Sequence, residues 1–391
     1  MPTSPSLASR PAGRDAAPYH IYFPFIGQNI GGSHISAFTL AEALIADFGV
    51  PCTVIARRGS AILEEAASKG LGVMEHDERA ATAQNGRHNP LYDLRRLPGR
   101  ISLLRGLPKG GILHTNDIGG LQSWMLPARF CGFPMVYHHR ALNRRVRLNE
   151  IIIRSADHVI PISIETKANA DFVPPARATT IVDPLSIDQS VDRERARQTL
   201  CRDFDIPADA QIVGFAGNLW RRKRPDFFLA VAAAMAERAP KAVFVIFGRD
   251  GDFTIQDMKD EAARLGIAER LRMAGFRTPV EDNLAAIDLL LYPSLREPFG
   301  RSPIEAALLG KPYVGTDDAG LSEIMSRWQG GRLVAKEASA AEFADVALAV
   351  LNDPASVVLT PERRQAVAEE LSPREHARRA IEIYDRFRDR L

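Results

Sequence analysis

The segment Glu297-Pro-Phe-Gly-Arg-Ser-Pro-Ile-Glu305 sets two carboxylates on either side of a short turn. Ser302 reads as a helix N-cap, Pro303 as the first helical residue and Glu305 as the third. Gly300 lies where a ligand could approach the backbone closely. Free N–H groups at such a helix start suit anionic or polyhydroxy ligands. Glu297 in the loop and Glu305 in the first turn can then face one hydroxyl-rich molecule. A capping box from Ser302 to Glu305 explains the second glutamate equally well with no ligand at all.

A second constellation is cationic. In Phe215-Ala-Gly-Asn-Leu-Trp-Arg-Arg-Lys-Arg-Pro225, Gly217 and Asn218 precede Arg221, Arg222, Lys223 and Arg224. Arginine forks and a lysine point charge are what a diphosphate needs, and they would neutralise a departing nucleoside diphosphate. A solvated basic loop is the plain alternative. Gly27-Gln-Asn-Ile-Gly-Gly-Ser-His34 follows an apolar run, and its backbone around Gly31 and Gly32 could cradle an anion. It is not G-x-G-x-x-G, and a plain strand-to-helix turn reads equally. His138-His139-Arg140 ends another apolar run, offering an imidazole or a cation to a cleft, or a hydrogen-bonded packing residue. Asp203-Phe-Asp205 and Asp250-Gly-Asp252 could hold a divalent ion on a diphosphate, but they read better as junction and turn chemistry. No metal and no cofactor are expected.

The elements that must position these residues alternate between strand and helix. Ile21–Phe25, Cys52–Ala56, Gly72–Glu75, Gly111–Thr115, Met135–His139 and His158–Ile160 read as strands, with a helix over 36–48 after the first. A second series, Ile212–Ala216, Ala242–Phe247, Leu271–Met273, Asp288–Tyr292, Pro312–Val314 and Arg332–Val334, begins after a break near Pro184. Alternation of this kind predicts an α/β chain with two doubly wound Rossmann-like domains facing across a cleft. The expected boundaries are a disordered tail over 1–18, a first domain over 19–186, a second over 187–371 and a closing helix over 372–391. That helix starts at Ser372-Pro-Arg-Glu375 and carries Ala377, Ala380, Ile381, Tyr384, Phe387 and Leu391 as an apolar stripe, so part of it should return to the first domain.

Composition fits this reading. The 391 residues exceed one ordinary core. With 50 basic and 48 acidic residues the net charge is only +2, against the strong basic excess of a nucleic-acid binder. Cys52, Cys131 and Cys201 are far apart and lack metal spacing, as in a reducing compartment. No apolar run reaches the length of about 20 residues that spans a bilayer, and Met1–Pro18 lacks the apolar core of a secretory signal. A cytoplasmic location is therefore expected. The basic segments Leu94–Arg105 and Arg144–Arg147 read first as solvated faces and second as peripheral contacts with anionic lipid at the inner face of a membrane.

Taken in order, the motifs resemble the family 4 retaining glycosyltransferases of group 1, which have the GT-B fold. Glu297 to Glu305, continued by Ala306-Ala-Leu-Leu-Gly-Lys-Pro312, is similar to that family's E-x7-E motif with its alanine-rich helix. Ala319-Gly320-Leu-Ser-Glu323 and Gly331-Arg-Leu-Val334 are similar to its glycine-glutamate loop and following strand, and Ala156–Ser163 to its segment ending in serine. The resemblance implies a metal-independent transfer of a sugar from a nucleotide-diphosphate sugar to a hydroxyl acceptor (a glycan, a lipid or a small molecule), with retained configuration. It implies that Glu297, with the backbone around Phe299 and Gly300, holds the donor sugar, and that Glu305 binds ribose hydroxyls. Arg301, Gly217, Asn218, Gly31 and Gly32 fall in the donor-binding set, and Lys223 on the diphosphate. The family's arginine after the glycine is Asn218 here, so Arg222 or Arg221 takes its place; Arg224 replaces the glycine after the lysine. The family's histidine falls among His138, His139 and Arg140, without a choice between them. A GT-B nucleotide-sugar epimerase and a non-catalytic nucleotide-sugar-binding subunit are the alternatives. Paired Rossmann domains of a nicotinamide oxidoreductase would need a fingerprint that the chain lacks. Donor base, sugar, acceptor and oligomeric state have no readable code.

Overall fold

The computed structural model describes residues 19–28, 30–76 and 90–391; the tail expected over 1–18 lies outside them. Two six-stranded sheets organise the described residues. The first comprises β1 (His20–Pro24), β2 (Cys52–Arg57), β3 (Gly72–His76), β4 (Gly111–Thr115), β5 (Met135–His139) and β6 (His158–Pro161), in the order β3-β2-β1-β4-β5-β6. The second comprises β7 (Gln211–Ala216), β8 (Ala242–Phe247), β9 (Leu271–Gly275), β10 (Leu289–Tyr292), β11 (Tyr313–Asp317) and β12 (Gly331–Ala335), in the order β12-β11-β10-β7-β8-β9. Counted from its own first strand, each sheet therefore has the same order. The pairings of β7 with β8 and with β10 are both parallel.

Near-continuous apolar runs make these strands because both faces of a parallel sheet are covered. In β8 every residue is buried, yet the side chains still alternate. Val243, Val245 and Phe247 join the core that holds Leu290, Ile304 and Trp328, whereas Ala242, Phe244 and Ile246 join the core that holds Phe228, Leu291 and Phe343. Helices Pro225–Ala236 and Ala340–Asn352 supply Phe228 and Phe343 to the latter.

The chain divides into two compact units. One is the described part of Met1–Tyr137 with Ser155–His158 and Ala377–Leu391; the other is His138–Arg154 with Val159–His376. The division thus differs from the 186/187 boundary read from the sequence. Residues 138–154 and 159–186 join the second unit through contacts such as the Leu185 N–H to the Leu371 carbonyl at 2.9 Å and the Ile164 N–H to Glu323 at 2.6 Å. Helix Pro373–Tyr384 has Ser372 Oγ accepting from the Glu375 N–H at 3.2 Å. In the first unit Tyr384 bonds His114 at 2.6 Å, and the Tyr19 hydroxyl donates to Asp385 at 2.9 Å. No helix among the described residues is long and apolar enough to cross a membrane.

Candidate active site

In the second sheet, strand order reverses between β7 and β10, and ligands of open α/β sheets sit beyond the carboxyl ends of the strands at such a point. The loops leaving these two strands carry the cationic run and Glu297. They meet. Glu297 Oε2 accepts from Arg222 Nη1 at 2.5 Å and lies 2.7 Å from Lys223 Nζ. Backbone joins them too: the Leu295 N–H donates to the Arg222 carbonyl at 2.8 Å.

The local chain explains how they meet. After β7, Gly217 takes φ +156°, and its N–H reaches the Phe247 carbonyl at 2.8 Å. A Cβ at Gly248 would lie 2.0 Å from the Gly217 carbonyl oxygen, so only glycine lets the end of β8 pass this turn. Residues 221–223 form one 3-10 turn, and Arg224 at φ +53° aims the chain into helix Pro225–Ala236. Asp252 Oδ2 accepts from the Arg221 N–H at 2.7 Å, and Asp250 Oδ1 from the Ile255 N–H at 2.8 Å. The second D-x-D pair therefore holds loops in place. Asn218 Oδ1 accepts from the Arg249 N–H at 3.2 Å. Among the described residues no group of His, Cys, Asp or Glu could hold a metal ion.

On the β10 side the helix start differs from its expected form. The helix is Arg301–Leu308, and its N-cap is Gly300 at φ +103°, not Ser302. The left-handed glycine turns the chain into the helix two residues early, which leaves Ser302 and Pro303 inside the first turn. The Ser302–Glu305 capping box does not form. Glu305, buried, is engaged instead by Arg301 Nε at 3.3 Å. Phe299 packs edge-on against Trp328. Gly320 closes the loop from behind: its N–H donates to the Glu297 carbonyl at 2.9 Å, and a Cβ there would lie 2.4 Å from the Phe299 oxygen. The Arg296 N–H, at a residue with φ +51°, donates to Asp318 Oδ2 at 2.5 Å.

Burial sets the electrostatics. Glu297 is 8% exposed, and the Lys223 side chain is 12% exposed against 47% for Arg222. Burial alone would raise the Glu297 carboxyl, but the Lys223 and Arg222 charges and their hydrogen bonds overcome it and hold it below its ordinary value. Burial lowers the Lys223 ammonium below its ordinary value, with Glu297 acting against the shift. Lys223 also donates to the Tyr292 hydroxyl and lies 4.5 Å from that ring's centroid. Burial, and then Glu297, push the Tyr292 phenol well above its usual value. Sequence reasoning missed Tyr292; its signal is a tyrosine as the last residue of an apolar strand that enters the switch point.

His139 and Arg140 occupy another buried network. His139 Nε2 contacts Asn169 Oδ1 at 3.1 Å and Nδ1 contacts Asn143 at 3.4 Å; burial lowers its pKa to about 4. Arg140 donates to Asp183 and lies 3.1 Å from His138 Nδ1, while His138 stacks on His376 at 5.3 Å. Gly31 and Gly32 belong to the other unit. Gly31 caps helix Gly32–Phe48, and its N–H donates to His34 Nδ1 at 3.1 Å.

Residues 210–353, which contain this whole cluster, match the family model described as glycosyl transferases group 1. Those residues carry a glycosyl transferases group 1 domain. It is 27% identical over 345 residues to a D-inositol 3-phosphate glycosyltransferase of Thermobispora bispora, covering 78% of each chain. It is 28% identical over 195 residues to the lipopolysaccharide core biosynthesis mannosyltransferase LpsB of Rhizobium meliloti, covering 49% of this chain and 54% of that protein. Among solved structures, Anabaena HepE in complex with UDP and glucose is similar at a TM-score of 0.77 and 19% identity, covering 94% of this chain and 99% of that one. A Rickettsia africae glycosyltransferase is similar at a TM-score of 0.79 and 16% identity, covering 94% and 98%. The fold is thus GT-B, with two Rossmann-like domains.

Proposed function

We propose that this chain is a glycosyltransferase that takes a hexose from a nucleotide-diphosphate sugar and passes it to a hydroxyl acceptor with retained configuration and without a metal. The observation that carries the reading is the meeting of Lys223 and Arg222 with Glu297 at the β7/β10 switch point. Complexes of HepE with UDP and with UDP-glucose support a nucleotide sugar as donor.

The chain's own groups suit the chemistry. Lys223 and Arg222 take the leaving diphosphate and stabilise the charge that grows on it, in a site that is largely dry at the lysine. Without donor, Glu297 fills the anion's place against these cations. With donor bound, it turns its acceptor oxygens to sugar hydroxyls, beside the backbone of Phe299 and Gly300. Glu305, fixed by Arg301, meets ribose hydroxyls. Asn218 orients the loop through Arg249, and Gly217 keeps the backbone open to a phosphate. His139 and Arg140 act as supports that hold the β5 end in place. The acceptor hydroxyl loses its proton late, to a departing phosphate oxygen, so no enzymic nucleophile is needed.

The test is a panel of UDP-, GDP- and ADP-hexoses, screened by thermal shift and then by product analysis in EDTA. Transfer to an acceptor hydroxyl with the donor's anomeric configuration, lost in Glu297→Ala, supports the reading. Release of an epimerised free sugar, or donor binding without turnover, overturns it.

A further inference from the structure

Cations also gather at the opposite edge of the second sheet. Strands β10 and β11 run parallel, so the residues that enter them lie at their amino ends, away from the loops that carry Glu297 and Lys223. Gly310-Lys311-Pro312 enters β11, and Asp288 precedes β10. Gly310 has φ +66°, and a Cβ on it would lie 2.5 Å from Arg364 Nη1 and 3.5 Å from Arg193 Nη2. Helices Pro361–Glu370 and Arg193–Phe204 thus bring two guanidinium groups to one point. Lys311, half-buried, is the next residue.

The acids nearby are engaged elsewhere. Asp288 accepts from Arg197 Nη1 through both oxygens, at 3.1 and 3.0 Å, and from the Ile212 N–H at 2.7 Å. Asp192 accepts from the Arg195 N–H at 3.0 Å, and Glu194 from Gln198 at 2.9 Å. Glu362 is in range of Arg364 but is exposed and held at Thr360. Arg364 donates to the Leu359 carbonyl at 3.2 Å, and among the described residues Arg193, Lys311 and Arg364 form no ion pair. Burial lowers the Lys311 ammonium to about 8, with Asp288 acting against the shift and Arg193 and Arg197 acting with it. Cations gathered in this way repel one another, and a dianion among them would turn each repulsion into an attraction. Arginine forks match phosphate oxygens.

We propose that Arg193, Lys311 and Arg364 form a site for a phosphate group at the amino edge of the second sheet, apart from the β7/β10 cluster. The group's source is either inorganic phosphate or a soluble phosphate monoester. All three cations belong to the second unit, so occupation should stabilise that unit.

Sulfate, a tetrahedral dianion whose charge does not change with pH, is titrated into the full chain carrying Arg222→Ala, which weakens anion binding at the donor cluster. Ionic strength is held constant with chloride, and binding is read from the melting temperature. The rise should saturate, need roughly tenfold more sulfate or more when Arg193→Ala is added, and vanish when Arg364→Ala joins it. Arg193 is exposed, so its truncation should leave the fold intact, and the melting temperature without sulfate checks this. Affinity should fall as pH rises through about 8 and Lys311 loses its proton, and Lys311→Arg should flatten that fall. Inorganic phosphate and glycerol 3-phosphate form the second arm: tighter binding of the ester assigns a metabolite, and tighter binding of phosphate assigns the free ion. The proposal falls if the rise does not saturate, if the variant lacking both arginines responds as its parent does, or if sulfate affinity is the same on either side of pH 8.

Discussion

Lys223 and Arg222 touch the same oxygen of Glu297, but their worth should differ widely. At 2.7 Å and an effective dielectric near 20, the gross Lys223–Glu297 attraction is about 6 kcal/mol. Drying both groups offsets much of it, because Glu297 is 8% exposed and the Lys223 side chain 12%. Removing one partner is costlier than the net worth of the pair. Glu297→Gln leaves the buried ammonium with neutral acceptors and no counter-charge at that position, and should destabilise the second unit by about 3 kcal/mol. Lys223→Met leaves Glu297 with Arg222, whose side chain is 47% exposed, and should cost about 1–2 kcal/mol. Arg222→Ala should cost less than about 1 kcal/mol, as a half-solvated partner does. The double variant Glu297→Gln/Lys223→Met should then recover about 2 kcal/mol relative to the sum of its parts. Urea unfolding of the four proteins at constant ionic strength measures this cycle. Additivity within about 0.5 kcal/mol would mean that the two side chains do not hold one another, and the argument for a preassembled anion site would collapse.

Other outcomes follow from single positions. Tyr292→Phe keeps the ring under Lys223 but deletes its acceptor, so it should cost about 1.5–3 kcal/mol in unfolding free energy; an unchanged urea midpoint contradicts the contact. His139 is held at about 4 against an ordinary 6.5, so the unfolded chain binds its proton first as pH falls. Stability should therefore drop by about 3 kcal/mol between pH 6.5 and 4, and His139→Gln should flatten that limb of a stability-against-pH curve. Glu297 acts in the same direction at lower pH: its lowered pKa adds stability above the ordinary carboxylate value of about 4.3, and acid removes it only below that. Gly320→Ala should lower donor affinity and stability together by about 1–3 kcal/mol, because its Cβ would strike the Phe299 carbonyl at 2.4 Å. Equal donor titrations for wild type and variant would refute that role.

Much of the scaffold was legible because parallel strands are written as unbroken apolar runs. Ala242–Phe247, Gly111–Thr115 and Met135–His139 have the bounds that the runs suggest. The meeting of Glu297 with Lys223 was legible as well, since both residues leave strands that border the switch point. Helix starts were less so. Ser302-x-x-Glu305 satisfies the capping pattern, but the pattern is blind to φ at Gly300, which starts the helix earlier and frees Glu305 for Arg301. The unit boundary was hidden for a related reason. A break in composition near Pro184 marks a change of sheet, whereas compactness follows contacts such as that of Ile164 with Glu323, between residues remote in sequence. Tyr292 escaped notice because a tyrosine in an apolar run looks like core, and only the third dimension puts its hydroxyl at an ammonium.

The 2.8 Å bond from the Leu295 amide to the Arg222 carbonyl fastens the two site loops main chain to main chain. Their relative height is consequently independent of which side chains they display. Drift in either loop's sequence can alter what is grasped without altering where the grip closes. A chimaera that imports one loop of different length should lose donor binding and sugar transfer together, however faithful its charged residues.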